Sequence, residues 1–446
     1  MSHTVITPDT LVPVADEEDS LPVPMIPESV ADSGLTETFL EQLTLKTLYF
    51  RGETLGRDLS MTLGFTFSVI EGILDYLKRH HLVAVRRSLG IGPVSAVLAP
   101  TEAGQHRARE FLEGNQYVGR APVPLSQYAR MVQAQKLPES WLTLEALRHA
   151  FRHMVINDDI LTQVGPAVNG GKSFLIYGPP GNGKTYLAEA LFGIETAPIF
   201  VPYAIECQGH IIQMYDPIYH HPDAEAEESS IALTYEPLYD MRWFRCKRPF
   251  IVSGGELALE TLDLSYNKDA KFYEAPLQLK ANNGIYMIDD FGRQKATPAE
   301  VLNRWIVPME RRVDYLTFQS GGKMTVPFEA FLIFSTNLKP HQLGDEAFLR
   351  RIQYKMLLRN PGEEEFTLIF RRFAESCGLH ADSGLLEGFL EKHYRGSGKK
   401  RRRCHPRDVL THAVDLMRFE RRPMELTEEI LNRAFESTFV NTEDDD

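Results

Sequence analysis

Apolar residues recur at helical spacing early in the chain. Phe39, Leu40, Leu43, Leu45 and Leu48 fall along TETFLEQLTLKTLYF at helical spacing. ETLGRDLSMTLG predicts a second, shorter helix and FTFSVIEGILDYLKRHH a third. The period then changes. LVAVRRS and VSAVLAP read as strands around the turn Leu89-Gly90-Ile91-Gly92-Pro93. TEAGQHRAREFLE follows as a helix capped by Thr101. Residues 35–116 are thus expected to form a small α+β unit. Residues 1–34 are acidic and proline-rich, with too little apolar surface to offset ordering, and are expected to be a disordered leader. Residues 117–138, YVGRAPVPLSQYARMVQAQKLP, read as a linker stiffened by Pro122 and Pro124.

Beyond residue 139 the pattern is that of an α/β core. A helix around Leu144, Leu147, Phe151 and Met154 precedes the run Ser173-Phe174-Leu175-Ile176-Tyr177. Such short, wholly apolar runs suit strands buried on both faces of a parallel sheet. Gly284-Ile285-Tyr286-Met287-Ile288 and Phe331-Leu332-Ile333-Phe334-Ser335 repeat it. Between them, Thr297-Pro298-Ala299-Glu300 is a capping box with proline at the first helical position. DYLTFQSGGKMTVPF then reads as a hairpin about Ser320-Gly321-Gly322. Residues 204–280, rich in aromatics (Tyr215, Tyr219, Tyr235, Tyr239, Trp243, Phe244), are expected to be an insertion in a core spanning 139–361. Residues 362–446 are expected to form a helical lid with an acidic tail.

Composition narrows the class. Of 446 residues, 43% are hydrophobic and 24% charged, as in ordinary globular protein. No apolar stretch is long enough to span a bilayer, and the N-terminus lacks the features of a secretory signal. The four cysteines, Cys207, Cys246, Cys377 and Cys404, form no CxxC pair, so a reducing cytoplasm is expected. Of the formal net charge of -13, eleven negative charges sit in residues 1–34 and 443–446, leaving a nearly neutral body. His220-His221 and His149/His153 have no acidic or cysteine companions at ligand spacing, and no metal is assigned to protein ligands alone.

The chemistry is concentrated where the first core strand ends. Gly178-Pro179-Pro180-Gly181-Asn182-Gly183-Lys184-Thr185 matches the phosphate-binding loop G-x-x-x-x-G-K-[ST], with Tyr186 next and the helix TYLAEALFG following. Glycines let backbone N–H groups converge on phosphate oxygens, and the helix N-terminus adds positive dipole. Lys184 is expected to reach the β- and γ-phosphates of ATP and Thr185 to ligate Mg²⁺. Gly284–Ile288 ends in Asp289-Asp290, like a Walker B strand. Asp289 is expected to hold the Mg²⁺ shell and Asp290 to polarise the attacking water.

These motifs resemble those of the AAA+ ATPases, and the resemblance covers roughly residues 140–440. It implies that Asn337, ending FLIFSTN, acts as sensor 1. It implies an arginine finger in DEAFLRRI, with Arg351 favoured over Arg350, and a sensor 2 at Arg407 in HPRDVL. The hairpin before sensor 1 is similar to that of the MoxR-like and Clp-like group, where it projects toward the ring pore; Lys323 near its tip is read equally as a substrate contact or as part of a structural hairpin. AAA+ members usually carry Glu where this chain has Asp290, which is one methylene shorter. The GAFTGA loop of enhancer-binding activators is missing.

The N-terminal unit resembles a winged helix, its ending LAPTEAGQHRARE being similar to that of many bacterial winged-helix domains. Its third helix carries Glu71 and Asp75 with Lys78 and Arg79 only at its end, so protein docking is favoured over DNA. The run Lys399–Arg403 reads as a solvated loop in preference to a nucleic-acid grip. The resemblance therefore implies ATP hydrolysis by a ring, expected to be hexameric, that remodels or assembles a protein complex. A DNA-associated ATPase and a slow nucleotide switch with little turnover stay open.

Overall fold

The computed structural model describes residues 22–138, 141–194, 196–223, 237–344, 346–397 and 399–439. The leader as far as residue 21, Tyr235, Asp345 and the acidic C-terminal residues lie outside them.

The core is a five-stranded sheet in which every pairing is parallel. Its order is Phe250–Ser253, Ile285–Ile288, Phe331–Thr336, Ser173–Tyr177 and Tyr354–Leu357. Both faces are covered, which is why the strands are apolar throughout rather than alternating. Phe174, Ile176, Met287, Ile333 and Met356 pack on one face. Leu175, Tyr286, Ile288, Leu332 and Phe334 pack on the other, around the fully buried Trp305. Phe250–Ser253 corrects the expected insertion: a core strand interrupts 204–280 and lies at the sheet edge beside Ile285–Ile288. At four residues with one neighbouring strand, it left no pattern that stood out from the aromatic-rich stretch around it.

What remains of that stretch forms a second, smaller sheet. Its strands are Ser265–Asn267, Phe272–Glu274, His210–Gln213, Ala204–Cys207 and Val123–Pro124, in that order. Ile199–Pro202 pairs separately with Trp243–Cys246. The segment read as a linker is therefore built into the fold. Val123–Pro124 adds to the sheet, Leu125–Ala134 is helical, and the buried Gln135 hydrogen-bonds both backbone polar groups of Phe200. Proline fits there because Val123–Pro124 is the edge strand. The hairpin Val313–Thr317 and Lys323–Pro327 packs into the same region, with Leu316, Phe318, Met324 and Val326 buried. Gln319 N–H donates to the Tyr273 hydroxyl at 3.1 Å, so the turn end is anchored to the second sheet.

The N-terminal unit follows its pattern. Helices Glu37–Arg51, Gly56–Leu63 and Phe67–Arg79 precede strands Val83–Ser88 and Ala96–Pro100, and the helix Glu102–Gly114 closes it. Thr101 Oγ1 accepts from Gly104 N–H at 3.0 Å as the N-cap. A two-residue strand, Thr54–Leu55, adds a third member to the ribbon. The unit is not separate, however. Its core cluster runs on into Tyr117, Ala121, Ala204 and Ile211, with Phe272 packed alongside.

An ion pair fastens this junction. Arg242 and Asp240 have side chains only 1% and 2% exposed, 2.7 Å apart. Arg242 Nη1 also donates to the carbonyl of Ser33 at 2.9 Å, and its guanidinium lies over the Phe65 ring. The contact with Ser33 also corrects the extent of the disordered leader. Ser29 and Asp32 form a capping box on the turn Val30–Ser33, and Asp240 N–H donates to Pro24 O at 3.0 Å. Residues 22–34 are placed because Arg242 and Asp240 use their backbone carbonyls as partners.

The C-terminal region is helical: Glu363–Ser376, Ser383–Leu390, His405–Phe419 and Glu428–Thr438 share one core around Phe366, Phe370, Phe389 and Leu410.

Breaking a buried pair strands the remaining charge, at a cost of ~3–5 kcal/mol. Arg242→Ala should therefore lower the urea midpoint sharply, whereas Arg350→Ala, whose partner Glu346 is 82% exposed, should leave it unchanged. Equal midpoints for the two variants would remove Arg242 from its role as fastener.

Candidate nucleotide site

The strand Ser173–Tyr177 delivers the chain to a tight loop, and the helix Lys184–Phe192 leaves it. Two glycines are required by contact. A Cβ on Gly178, at φ 148°, would lie 2.3 Å from the Leu358 carbonyl oxygen. One on Gly181, at φ 77°, would lie 2.5 Å from Cys404 Sγ. The loop encloses Lys184, which is 7% exposed. Its Nζ donates to Gly178 O at 3.0 Å, Pro179 O at 3.1 Å and Asn337 Oδ1 at 2.6 Å. Burial pulls its pKa below the ordinary lysine value, and Asp290 and Asp289 oppose that shift.

Both acids follow the C-terminal end of the strand Ile285–Ile288, beside the strand that ends at Thr336. Thr185 Oγ1 donates to Asp289 Oδ2 at 2.9 Å. Asn337 Nδ2 donates to Asp290 Oδ1 at 2.9 Å. A continuous polar chain thus runs from Lys184 through Asn337 to Asp290, across three adjacent strand ends. Asp290 has φ 49°, in the left-handed region, with its N–H bonded to Asp289 Oδ1 at 3.0 Å. Asp and Asn enter that region more readily than longer side chains do.

These groups line one cleft of about 880 Å³. Pro180, Gly181, Asn182, Gly183, Lys184, Thr185, Tyr186, Asp289, Asp290, Asn337 and Arg407 all reach it. Gly178 and Pro179 lie behind, offering carbonyls to Lys184. Arg407 is 65% exposed and pairs with Asp408 at 3.0 Å. Arg351 is not in the cleft. Its carbonyl accepts from Ser173 Oγ at 3.4 Å, at the opposite end of the loop-bearing strand.

Residues 362–437 match a family described as a domain of unknown function, DUF8689. No curated protein matches the chain. Among solved structures it is similar to NtrX from Brucella abortus, at 14% identity and TM-score 0.37, over 72% of this chain and 61% of that one. It is also similar to a RuvB mutant from Thermotoga maritima, at 13% identity and TM-score 0.35, over 67% of this chain and 72% of that one. The chain thus spans less than two thirds of the NtrX chain.

The part of the C-terminal helical region in the site was not visible in sequence. Asn182, 1% exposed, donates to Asn360 Oδ1 at 2.8 Å and accepts from the backbone N–H of Arg403 at 3.4 Å. Cys404 N–H donates to Gly181 O at 2.9 Å. The loop is therefore held from outside by the C-terminal helical region. Arg403, expected in a solvated loop, pairs with Glu365 at 2.7 Å and donates to Val155 O at 2.8 Å. Arg372 reaches Met154 O at 3.2 Å. These lid arginines hold the segment His153–Val155, which forms a wall of the cleft, and the His153 ring meets Tyr186 edge-on at 5.6 Å. The signal for Arg403 was its place two residues from the helix start at His405, but no periodicity relates it to Glu365 or Val155.

Two hydrogen bonds worth ~0.5–1.5 kcal/mol each converge on Asn182. Asn182→Ala should weaken ATP binding about tenfold, which is ~1.4 kcal/mol, as read by calorimetry. Asp290→Glu should not raise turnover, because the longer side chain must enter the left-handed region. A faster steady-state rate in that variant would show that reach, not backbone conformation, limits the site.

Proposed function

We propose that this chain binds ATP with Mg²⁺ and hydrolyses it as an AAA+-type ATPase. The observation that carries the reading is the polar chain Lys184–Asn337–Asp290 beside the pair Thr185–Asp289, at the C-terminal ends of adjacent parallel strands. The strand order supports it. The Asn337 strand separates the phosphate-loop strand from the acid-bearing strand, so its amide stands between the loop lysine and the second acid.

The residues fit the groups they would hold. The glycine-rich loop ahead of a helix N-terminus suits phosphate oxygens. Thr185 and Asp289 present hard oxygen donors of the kind Mg²⁺ takes, and that ion would neutralise charge on the β- and γ-phosphates. Lys184 leaves Asn337 for phosphate oxygens when nucleotide enters. Asn337 and Asp290 are then free to orient and polarise a water for attack. Arg407, which lines the same cleft, would reach the phosphates of ATP bound to its own subunit. Arg351, outside the cleft beside the start of the loop-bearing strand, would serve as a finger donated to a neighbouring subunit.

The N-terminal unit has the helix and strand sequence of a winged helix. Burial of its face against the second sheet supports a scaffolding or protein-docking role. The acids Glu71 and Asp75 on its third helix run against phosphate binding. The remodelled partner is a protein complex in this reading. The DNA-associated reading has no observation in its favour of comparable weight.

Lys184→Ala should abolish ATP binding at the phosphate loop, and with it turnover, while Asp290→Asn should bind ATP there and fail to turn it over. Wild-type affinity in Lys184→Ala would end the phosphate-loop reading. Arg351→Ala should bind ATP yet lose on the order of 10³–10⁵ in rate, the usual worth of a finger. Mixing Arg351→Ala with Lys184→Ala under subunit exchange should restore part of the activity. Mixtures as inactive as either variant alone would exclude a finger supplied in trans by Arg351.

A further inference from the structure

A second cleft lies at the other end of the sheet, where the parallel strands begin. It encloses about 660 Å³, within the range of small-molecule sites. Its floor is formed by Pro249, Gly284 and Phe331, at or just before three strand starts, so it lies a full strand length from the phosphate loop.

Its electrostatics are one-sided. Five basic side chains line it, Lys136, Lys172, Lys247, Arg248 and Arg312, against two carboxylates, Asp223 and Glu329. Both carboxylates are already engaged. Glu329 takes Lys136 at 2.6 Å and Arg312 at 3.3 Å, and Asp223 takes Arg245 at 2.9 Å. Lys172 and Lys247 are exposed and have no ion pair among the described residues. Among the described residues, Arg248 is held by carbonyls, those of Asn283 and Gln135, each at 2.8 Å. Burial lowers its pKa to about 10, the mark of a guanidinium kept from water without a carboxylate beside it. Arg312 Nη2 covers the Gly171 carbonyl at 2.7 Å, hiding one helix-end oxygen that would repel an anion.

The opposite wall is apolar and partly aromatic. Phe192, 39% exposed, stacks on Phe250 with centroids 5.8 Å apart, and Trp141 stands half-buried nearby. An exposed aromatic face fixed by a second ring behind it is a stacking platform for another planar group.

We propose that this cleft is a second ligand site, separate from the phosphate loop, for a nucleotide: phosphates against Lys172, Lys247 and Arg248, base against Phe192. Cations alone would suit inorganic phosphate; the aromatic wall selects an anion with a ring.

The test uses the full chain carrying Lys184→Ala, with radiolabelled ADP and GTP in equilibrium dialysis and inorganic pyrophosphate as competitor. Saturable binding of at least one nucleotide is expected to survive Lys184→Ala. It should weaken at least tenfold with Lys172→Glu/Lys247→Glu, both exposed positions whose fold is checked by circular dichroism. It should also weaken with Phe192→Ala, and pyrophosphate should compete less tightly than the nucleotide. The lysine pair lies away from the phosphate loop, so binding that resists Lys184→Ala and the lysine double variant alike overturns the proposal. So does the absence of saturable binding. Equal competition by pyrophosphate with no effect of Phe192→Ala would also overturn it, leaving an unspecific anion patch.

Discussion

Everything at the first site depends on keeping one ammonium out of water without leaving it unpaired. Lys184 is 7% exposed and touches only oxygens: two loop carbonyls and the Asn337 amide. A buried cation is tolerable only when it is hydrogen-bonded. The loop must therefore turn its carbonyls inward, which needs glycine backbone at 178 and 181, and Asn337 must stand at the end of the next strand. The same contacts make the pocket responsive. Under the proposed reading, a phosphate would offer Lys184 a full negative charge where Asn337 offers a dipole.

The lid adds a second constraint. Asn182 and Gly181 bond to the backbone of Arg403 and Cys404, and Asn182 also bonds to Asn360, where the chain leaves the core. The C-terminal helical region and the loop 178–185 are therefore joined by backbone and side-chain hydrogen bonds. Arg372 and Arg403 extend these links to the backbone carbonyls of residues 154–155 on the other wall of the cleft.

At the other end of the molecule, the buried Arg242–Asp240 pair joins three segments distant in sequence. It gathers the carbonyls of Ser33 and Pro122 and stacks on Phe65, so the N-terminal unit, the supposed linker and the second sheet share one polar knot within an apolar cluster. The hairpin before the Asn337 strand is drawn into the second sheet through Phe318 and Tyr273. Its apolar residues serve packing, and its turn residues are what remain for contact with a partner.

Local pattern determined a good deal by itself. The apolar runs 173–177, 285–288 and 331–336 announced buried strands, because both faces of a parallel sheet are covered. The glycines and Lys184-Thr185 announced a phosphate loop, because that geometry needs those residue types in consecutive order. Thr101 and the capping box at Thr297 marked helix starts through bonds three residues long. What the sequence left undecided was every relation between segments far apart. The strand Phe250–Ser253 takes its identity from its neighbour Ile285–Ile288, not from its own four residues. Pro122 and Pro124 read as a stiff linker until the edge of a sheet lay beside them. Arg403 looked solvated until Glu365 and Val155 were folded against it, and the basic cleft at the strand starts is assembled from 136, 172, 248 and 312. Propensity and periodicity act over a few residues, whereas the partner of a buried charge is chosen by the packing of the whole chain.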